Sequence, residues 1–571
     1  MDQITKHKLD RACQEFIDAI DPLKVCDLVS LFHPEKKACH IFAEWKKGSY
    51  NVCIPVIFDN GAGGKGLNEN KNKSDNKSEG EKWMVRIPLL PRLAFPEEKM
   101  RSEIATMKYV AEKTTIPIPH VYGYSITTDN ILGLPFLLID YIEGNTLYST
   151  NIRALERTQR NHLYAQIGDV YIQLYRQQFD RVGALTLDEH GNWIFANNRP
   201  LTIDINEQEV SGLDFCCYLP PDHTFNSTID YVYMIMRLIF NDFYRGRDCI
   251  INQDDAQWYL YSIYTLQSIL MEWVHPQYNH GPFVLMHGDL RPPNIVVDDD
   301  LNIVSILDWE WSHTVPVQMF VPPSWLTNQG ILQISKDIST IGYLAAVYSF
   351  IRRTTDQENT FHNPNKLLLK DLPLAALWRP MSEFEEFIIP LGLLAPHCLG
   401  NIYWDALDHC YHGQNSKERV QAFFKLDIQA PDRQAVEKKM QEFESFEKER
   451  QDLGIERRPL MPTKTAEELS HLAKALKEFR EREDKKHKVM PQTIFNSLRE
   501  CLHRQTKYLK SSICADNLTI EKQQLAKRWL LIGFSTISAM YIISQKLKKT
   551  RWLQKLTVSF VEQVDCFFKY S

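Results

Sequence analysis

Hydrophobic and polar positions divide the chain into segments of contrasting period. Residues 1–35 carry apolar positions at helical spacing and predict one or two amphipathic helices. Residues 38–58 (ACHIFAEWKKGSYNVCIPVIF) predict two strands around a polar turn at Lys46–Ser49. The stretch 59–82 is rich in Gly, Asn, Lys and Ser with a single Leu; it can bury little surface and predicts a disordered surface insertion. WMVRIP, Trp83 to Pro88, predicts a strand. Phe95 to Lys113 predicts a helix, with Pro96 at its start, Glu97 and Glu98 at its positive end, and a stripe of Met100, Ile104, Met107 and Ala111. The apolar run Leu134–Ile142 predicts a strand that passes through YIEGN into a linker.

From about Ser149 to Tyr278 the pattern is mainly helical. Residues 283–311 predict strand, loop, strand, turn, strand, and 331–427 are again helical. Two charged helices, Arg433–Leu453 and Thr465–Lys486, follow, joined by a segment holding Pro459 and Pro462. The order is α+β: a small sheet-bearing part with one helix (1–142), a large helical part with an embedded hairpin (143–430) and a helical, basic extension (431–571).

The composition narrows the classes. With 571 residues, 44 % hydrophobic and 24 % charged, the chain is an ordinary folded protein. A net charge of −6 gives no overall field for nucleic acid. The 12 cysteines are scattered with no C-x-x-C, and the first residues, MDQITKHKLD, contain no apolar stretch; both fit reduced thiols in a cytoplasmic setting. From Pro491 to Ser571, 13 Lys/Arg stand against 5 Asp/Glu, a local +8. Within it Trp529–Ser544 is a run of 16 uncharged residues with Lys527 and Arg528 before it and Lys546, Lys548, Lys549 and Arg551 after it. A spanning helix needs about 20 apolar residues, so three readings stand: a helix packed on the rest of the protein, a basic helix lying at a membrane surface, or a short anchor, the last two giving membrane contact through residues 525–551.

The chemistry concentrates in FVLMHGDLRPPNIVVDDDLNIVSILDWE, Phe283 to Glu310. An apolar strand ends in His287-Gly288-Asp289. Asn294 then opens a second strand, and the returning strand ends at Asp308. In an antiparallel hairpin the start of one strand and the end of the next lie together, so Asp289, Asn294 and Asp308 converge at one mouth. Phosphoryl transfer needs such a set: a carboxylate for the attacking hydroxyl and hard oxygens for Mg²⁺ on the phosphates. Asp289 is the candidate base, and Asn294 and Asp308 the candidate metal ligands. A polar hairpin with chance acidic residues is the plain alternative.

H-G-D-L-x-x-x-N followed by I-L-D-W-E resembles the aminoglycoside phosphotransferase and choline-kinase group within the protein-kinase-like fold. Across roughly residues 10–425 the chain looks like fungal proteins of the phosphotransferase enzyme family. The resemblance implies a two-lobed kinase-like architecture, ATP or GTP as co-substrate, Mg²⁺, and transfer of the γ-phosphate to a hydroxyl of a small molecule, a cationic one being a candidate. It implies a phosphate-facing cation at Arg86, an anchoring Glu103 in the helix, and a hinge at Asp140-Tyr141-Ile142 whose backbone meets the purine edge. A Gly48-Ser49-Tyr50-Asn51 turn would face the phosphates, its backbone N–H groups around Ser49 holding their oxygens; an ordinary hairpin turn fits it as well. Arg86 and Glu103 could equally be a structural pair, and 140–142 a plain strand end. Trp309 and Trp311 offer either core packing or a face for a cation. The rival from another class is a pseudokinase or scaffold that binds a partner or a membrane. A protein kinase fits poorly, since neither D-F-G nor A-P-E is present. Gly61-Ala62-Gly63-Gly64-Lys65-Gly66 lacks the glycine spacing and the Ser/Thr of a P-loop and is set aside.

Overall fold

The computed structural model describes residues 1–59, 80–335, 338–361, 373–378, 384–413 and 415–457. The chain divides into two compact units, one of Met1–Tyr411 with Asn415–Val489, the other of His412–Gln414 with Met490–Ser571. All but two residues of the second unit, together with the helix expected at Thr465–Lys486, the glycine run at 61–66 and the segment 525–551, lie outside the described residues.

Helices α1 (Gln3–Asp18) and α2 (Pro22–Phe32) open the chain, each with an aspartate accepting from a first-turn backbone N–H. A six-stranded antiparallel sheet follows, of β1 (Cys39–Ile41), β2 (Lys46–Lys47), β3 (Asn51–Phe58), β4 (Lys82–Pro88), β5 (Val121–Ser125) and β6 (Phe136–Asp140). Its order is β1-β3-β4-β6-β5, with β2 beside β3. One face, with Val52, Ile54, Val56, Val85 and Ile87, packs against Val25, Leu28 and Val29 of α2. Helix α3 (Pro96–Lys113) lies in the larger core with Leu137 and Ile139 of β6.

Several expectations need adjusting. Lys82 belongs to β4 and not to the insertion, because it pairs with Ile57 of β3. Ala111 is exposed, so the predicted stripe ends at Met107; α3 instead buries Lys99, Ser102, Glu103 and Thr106 as well, since other elements surround it on several sides. Asn294 closes a short 3₁₀ turn, Pro292–Asn294, and the strand starts one residue later.

The helical part begins after β7 (Asn145–Thr146). It contains α4 (Arg157–Tyr175), α5 (Ile203–Val210), α6 (Thr228–Arg245), α7 (Gln253–Trp273), α8 (Ile331–Ile334) and α9 (Ile338–Phe361), then further helices ending in Ala430–Asp452. Set into it are short sheets built from β8 (Gln178–Phe179), β9 (Thr186–Leu187), β10 (Trp193–Ile194), β11 (Phe283–Met286), β12 (Ile295–Val297), β13 (Ile303–Ile306) and β14 (His313–Pro316). Among them β14-β11-β8 and β13-β12-β7 carry the site. Among the described residues no single helix is long and apolar enough to cross a membrane.

Candidate active site

The register of β12 and β13 places Ile295 opposite Ile306, so Asn294 and Leu307 share one end of the hairpin. The Leu307 amide donates to Asn294 O at 2.8 Å, and Leu307 O accepts from His287 Nε2 at 2.8 Å. Asn294 Nδ2 donates to Asp289 O at 2.9 Å and to Asp289 Oδ2 at 3.1 Å. Asp289, Asn294 and Asp308 are thereby assembled at one mouth. Burial pushes the Asp289 carboxyl above its ordinary range; Arg291 and Asn294 pull it back, and Asp308 is near enough to add its repulsion.

The loop carrying Asp289 is held by packing and backbone constraints. His287 is buried, and desolvation lowers its pKa to about 4, so it stays neutral, donating through Nε2 and accepting the Asp289 amide at Nδ1. Gly288 adopts φ +80°, and a Cβ there would stand 2.1 Å from Trp311 O, so a side chain has no room. Trp325 Nε1 donates to Leu290 O at 2.6 Å. Trp309 and Trp311 are both buried, the first against His287 and the second edge-on to Tyr50, which makes them packing residues.

On the sheet side, Arg86 and Glu103 form a buried ion pair between β4 and α3. The Arg86 fork goes further: Nη2 pairs with Asp308 and, at 3.2 Å, with Glu310. Sequence reasoning missed the rest of this cluster. Lys99, one turn before Glu103 on α3, is buried and pairs with Glu310, with Glu103 Oε2 at 3.5 Å and with Asn51 Oδ1 at 3.2 Å. Glu310 also accepts from Asn51 Nδ2 at 2.7 Å and Trp311 Nε1 at 3.1 Å. Burial pushes Glu103 up, whereas Lys99 and Arg86 hold Glu310 below its usual range despite burial. Burial works against the Arg86 charge, but Asp308, Glu103 and Glu310 more than offset it. The i,i+4 spacing of Lys99 and Glu103 was the readable signal for Lys99, and the second carboxylate of D-W-E the signal for Glu310.

Of the expected phosphate turn, Asn51 joins this cluster through Glu310 and Lys99. Gly48 N–H donates to Asn51 O at 2.8 Å, closing a two-residue hairpin turn at Ser49-Tyr50. Ser49 is exposed at its tip, and Tyr50 turns inward to bond Glu207 at 2.8 Å. The Asp140 carboxylate accepts from the His120 amide and Tyr122 OH, both at 2.7 Å, while the Asp140 and Tyr141 amides donate to His120 O and Lys82 O. Ile142 sits half-buried just past β6.

A small antiparallel sheet packed by α2 and by α3, a larger helical lobe, and a carboxylate–asparagine–carboxylate mouth at the hairpin together define a two-lobed kinase-like architecture. Residues 65–317 match the model of the phosphotransferase enzyme family. Among curated proteins, the chain is 34 % identical over 117 residues to a protein of Yarrowia lipolytica named altered inheritance of mitochondria protein 9, mitochondrial; the match takes in 19 % of this chain and 20 % of that one. It is 26 % identical over 136 residues to a subtelomeric hrmA-associated cluster protein of Aspergillus fumigatus, covering 24 % and 26 %. The chain thus matches about a fifth to a quarter of the length of these relatives. Among solved structures it is similar to a putative aminoglycoside phosphotransferase of Ralstonia eutropha (12 % identity, TM-score 0.39, covering 75 % of this chain and 99 % of that one). It is also similar to a Plasmodium vivax ethanolamine kinase (13 %, TM-score 0.32, covering 72 % and 86 %).

Proposed function

We propose that this protein transfers the γ-phosphate of ATP or GTP to a hydroxyl group of a small molecule. The observation that carries the proposal is the convergence of Asp289, Asn294 and Asp308 on one hairpin mouth, knit together by the Asn294–Asp289 and Leu307–Asn294 hydrogen bonds. Asp289 is the base: its carboxylate orients the acceptor hydroxyl and takes its proton as the oxygen attacks phosphorus. Proximity and orientation carry much of the rate, because the protein itself forms no covalent bond to the phosphoryl group.

The donor set fits Mg²⁺. Asn294 commits its Nδ2 to Asp289, which leaves the hard Oδ1 as its ligating atom, and the Asp308 side chain is 39 % exposed beside it. Mg²⁺ characteristically takes one or two protein oxygens and completes its shell with phosphates and water. Asn294 and Asp308 would hold it, and bound there it neutralises charge on the phosphates. Arg86 and Glu103 brace β4 against α3 and fix where Asp308 lies. On this reading Ile142, just past β6, would offer backbone to the purine, and the Ser49 turn would cover the phosphates.

Asp289→Asn is expected to retain nucleotide affinity while losing transfer by about 10² or more. Asp308→Ala is expected to weaken Mg²⁺-nucleotide binding itself. Isothermal titration with ATP and GTP, paired with a phosphotransfer screen over hydroxyl acceptors, separates the two; equal behaviour of both variants contradicts the roles.

A second reading, a pseudokinase scaffold, draws on the pairing of Arg86 with Asp308 and on Tyr50 filling the turn. Absence of nucleotide binding by the full chain would favour it. Cytoplasmic placement and membrane contact through residues 525–551 are proposals from sequence. Fractionation of the full chain against one ending at 490 tests the membrane contact; two equally soluble proteins would end that part.

A further inference from the structure

A short amide side chain can accept from an ammonium and donate to a carboxylate at once. Asn51 is used in this way. It ends the Gly48–Asn51 turn and is 6 % exposed, so water does not stand in for its partners. Its Oδ1 accepts from Lys99 Nζ at 3.2 Å, and its Nδ2 donates to Glu310 Oε2 at 2.7 Å. Lys99 can only donate and the Glu310 carboxylate can only accept, so an aspartate or an aliphatic residue of the same size would fail one neighbour or both. The turn is thereby joined to α3 on one side and to the Asp308-Trp309-Glu310 turn on the other.

From Glu310 the connection runs on to Asp308. Glu310 Oε2 accepts from Arg86 Nη2 at 3.2 Å, and the same Nη2 pairs with Asp308. The backbone supplies a second short path, because Asp308 caps the 3₁₀ turn Trp309–Trp311 that contains Glu310. Tyr50 adds further holds: its OH donates to Glu207 at 2.8 Å, its ring meets Trp311 edge-on at 4.9 Å, and its carbonyl accepts the Leu89 amide at 2.8 Å. Gly48 and Ser49 are left exposed at the tip. A turn anchored like this is already ordered before a ligand arrives, which lowers the entropic cost of binding.

We propose that Asn51 is a positioning residue that sets the phosphate-facing turn and the Asp308 turn as one piece. The inference rests on the nucleotide-binding reading, in which the first turn covers the phosphates and Asp308 helps to hold Mg²⁺ on them. Asn51 touches neither nucleotide nor metal on this assignment; it acts through Glu310 and Arg86. Loss of its amide leaves the Lys99–Glu310 and Arg86–Asp308 pairs in place but releases the first turn from the second. Phosphates held by the metal then no longer coincide with the place the turn covers. The part of nucleotide affinity that Mg²⁺ contributes therefore depends on Asn51.

The test is isothermal titration of the full chain, of Asn51→Ala and of Asn51→Asp with ATP and GTP, each with Mg²⁺ and in chelator, beside melting curves that establish folding. Asn51→Asp opens no cavity and keeps an oxygen for Lys99, but it sets a like charge against Glu310, so it breaks the same bond where Asn51→Ala does not fold. The expected result is that the factor by which Mg²⁺ tightens nucleotide binding shrinks about tenfold in the variants. A merely structural hydrogen bond would lower the melting temperature and leave that factor alone. An unchanged factor in a folded variant, or nucleotide binding by the unaltered chain that Mg²⁺ does not tighten, overturns the assignment and leaves nucleotide binding itself standing. Failure of the unaltered chain to bind either nucleotide overturns both.

Discussion

Asp308 sits in the left-handed region, φ 63° and ψ 59°, at the end of β13. Asp tolerates this backbone better than most residues, and the bend directs its carboxylate to the Arg86 fork. Gly288, at φ +80° against Trp311 O, is the matching constraint on the other side of the mouth. Gly288→Ala should lose about 1–2 kcal/mol to the left-handed backbone, with more from the clash, and should displace Asp289. Urea denaturation together with a transfer assay checks it; a variant of unchanged stability and rate would contradict the close packing. His313 is buried with Nδ1 toward Trp311 O and Nε2 toward Tyr231 OH, and desolvation lowers its pKa to about 4. At this scale the sequence was legible where one hairpin carries the residues. Asp289, Asn294 and Asp308 follow from strand ends, whereas Asn51, Lys99 and Glu310 meet only through contacts across the sheet, the helix and the turn.

Helix α3 joins these elements. Its start is fixed by Glu98, whose carboxylate takes Arg199 through two bonds of 2.7 and 2.8 Å, and its middle by Lys99 and Glu103. Lys99→Met should leave Glu310 and Glu103 with the Arg86 charge alone and destabilise the protein by about 3–5 kcal/mol. Chemical denaturation reads this directly, and a loss below about 1 kcal/mol, the range of surface pairs, would show the cluster to be weakly coupled. Periodicity located α3 to within a residue because Pro96, Glu97 and Glu98 mark its start. It misjudged the extent of burial, since a lysine inside a helix reads as a solvated position until its partners are known. Strand β14 was missed altogether: HTVP carries a proline and too little alternation to mark a strand, and its pairing with β11 is what orders it.

Over the whole described chain the sheet-bearing part is tied to the helical part at several points. The Arg199–Glu98 fork is one; others are Tyr50 on Glu207, and Asn206 bonded to the Ala94 amide and Arg92 O. The two-part plan was legible because strands and helices segregate along the sequence. The ties were not, as they depend on isolated polar residues within loops and helix ends. Stability should fall as pH drops from about 6.5 toward 4. His287 and His313 stay neutral in the fold until about pH 4, while an unfolded histidine protonates near 6.5, so acid favours the unfolded chain across that window. Each can contribute a slope of up to about 1.4 kcal/mol per pH unit. Melting curves should show a flatter pH dependence for His313→Gln than for the unaltered protein, and identical slopes would contradict this.

The central claim, a Mg²⁺-dependent nucleotide site at the Asp289–Asn294–Asp308 mouth, is tested most directly by the melting temperature of the full chain with ATP or GTP, with and without Mg²⁺, beside Asp308→Ala. A ligand bound to the folded state alone must raise the melting temperature. The account predicts a rise that requires Mg²⁺ and vanishes in Asp308→Ala; no rise with either nucleotide in the well-folded protein, or an equal rise in the variant, would contradict it.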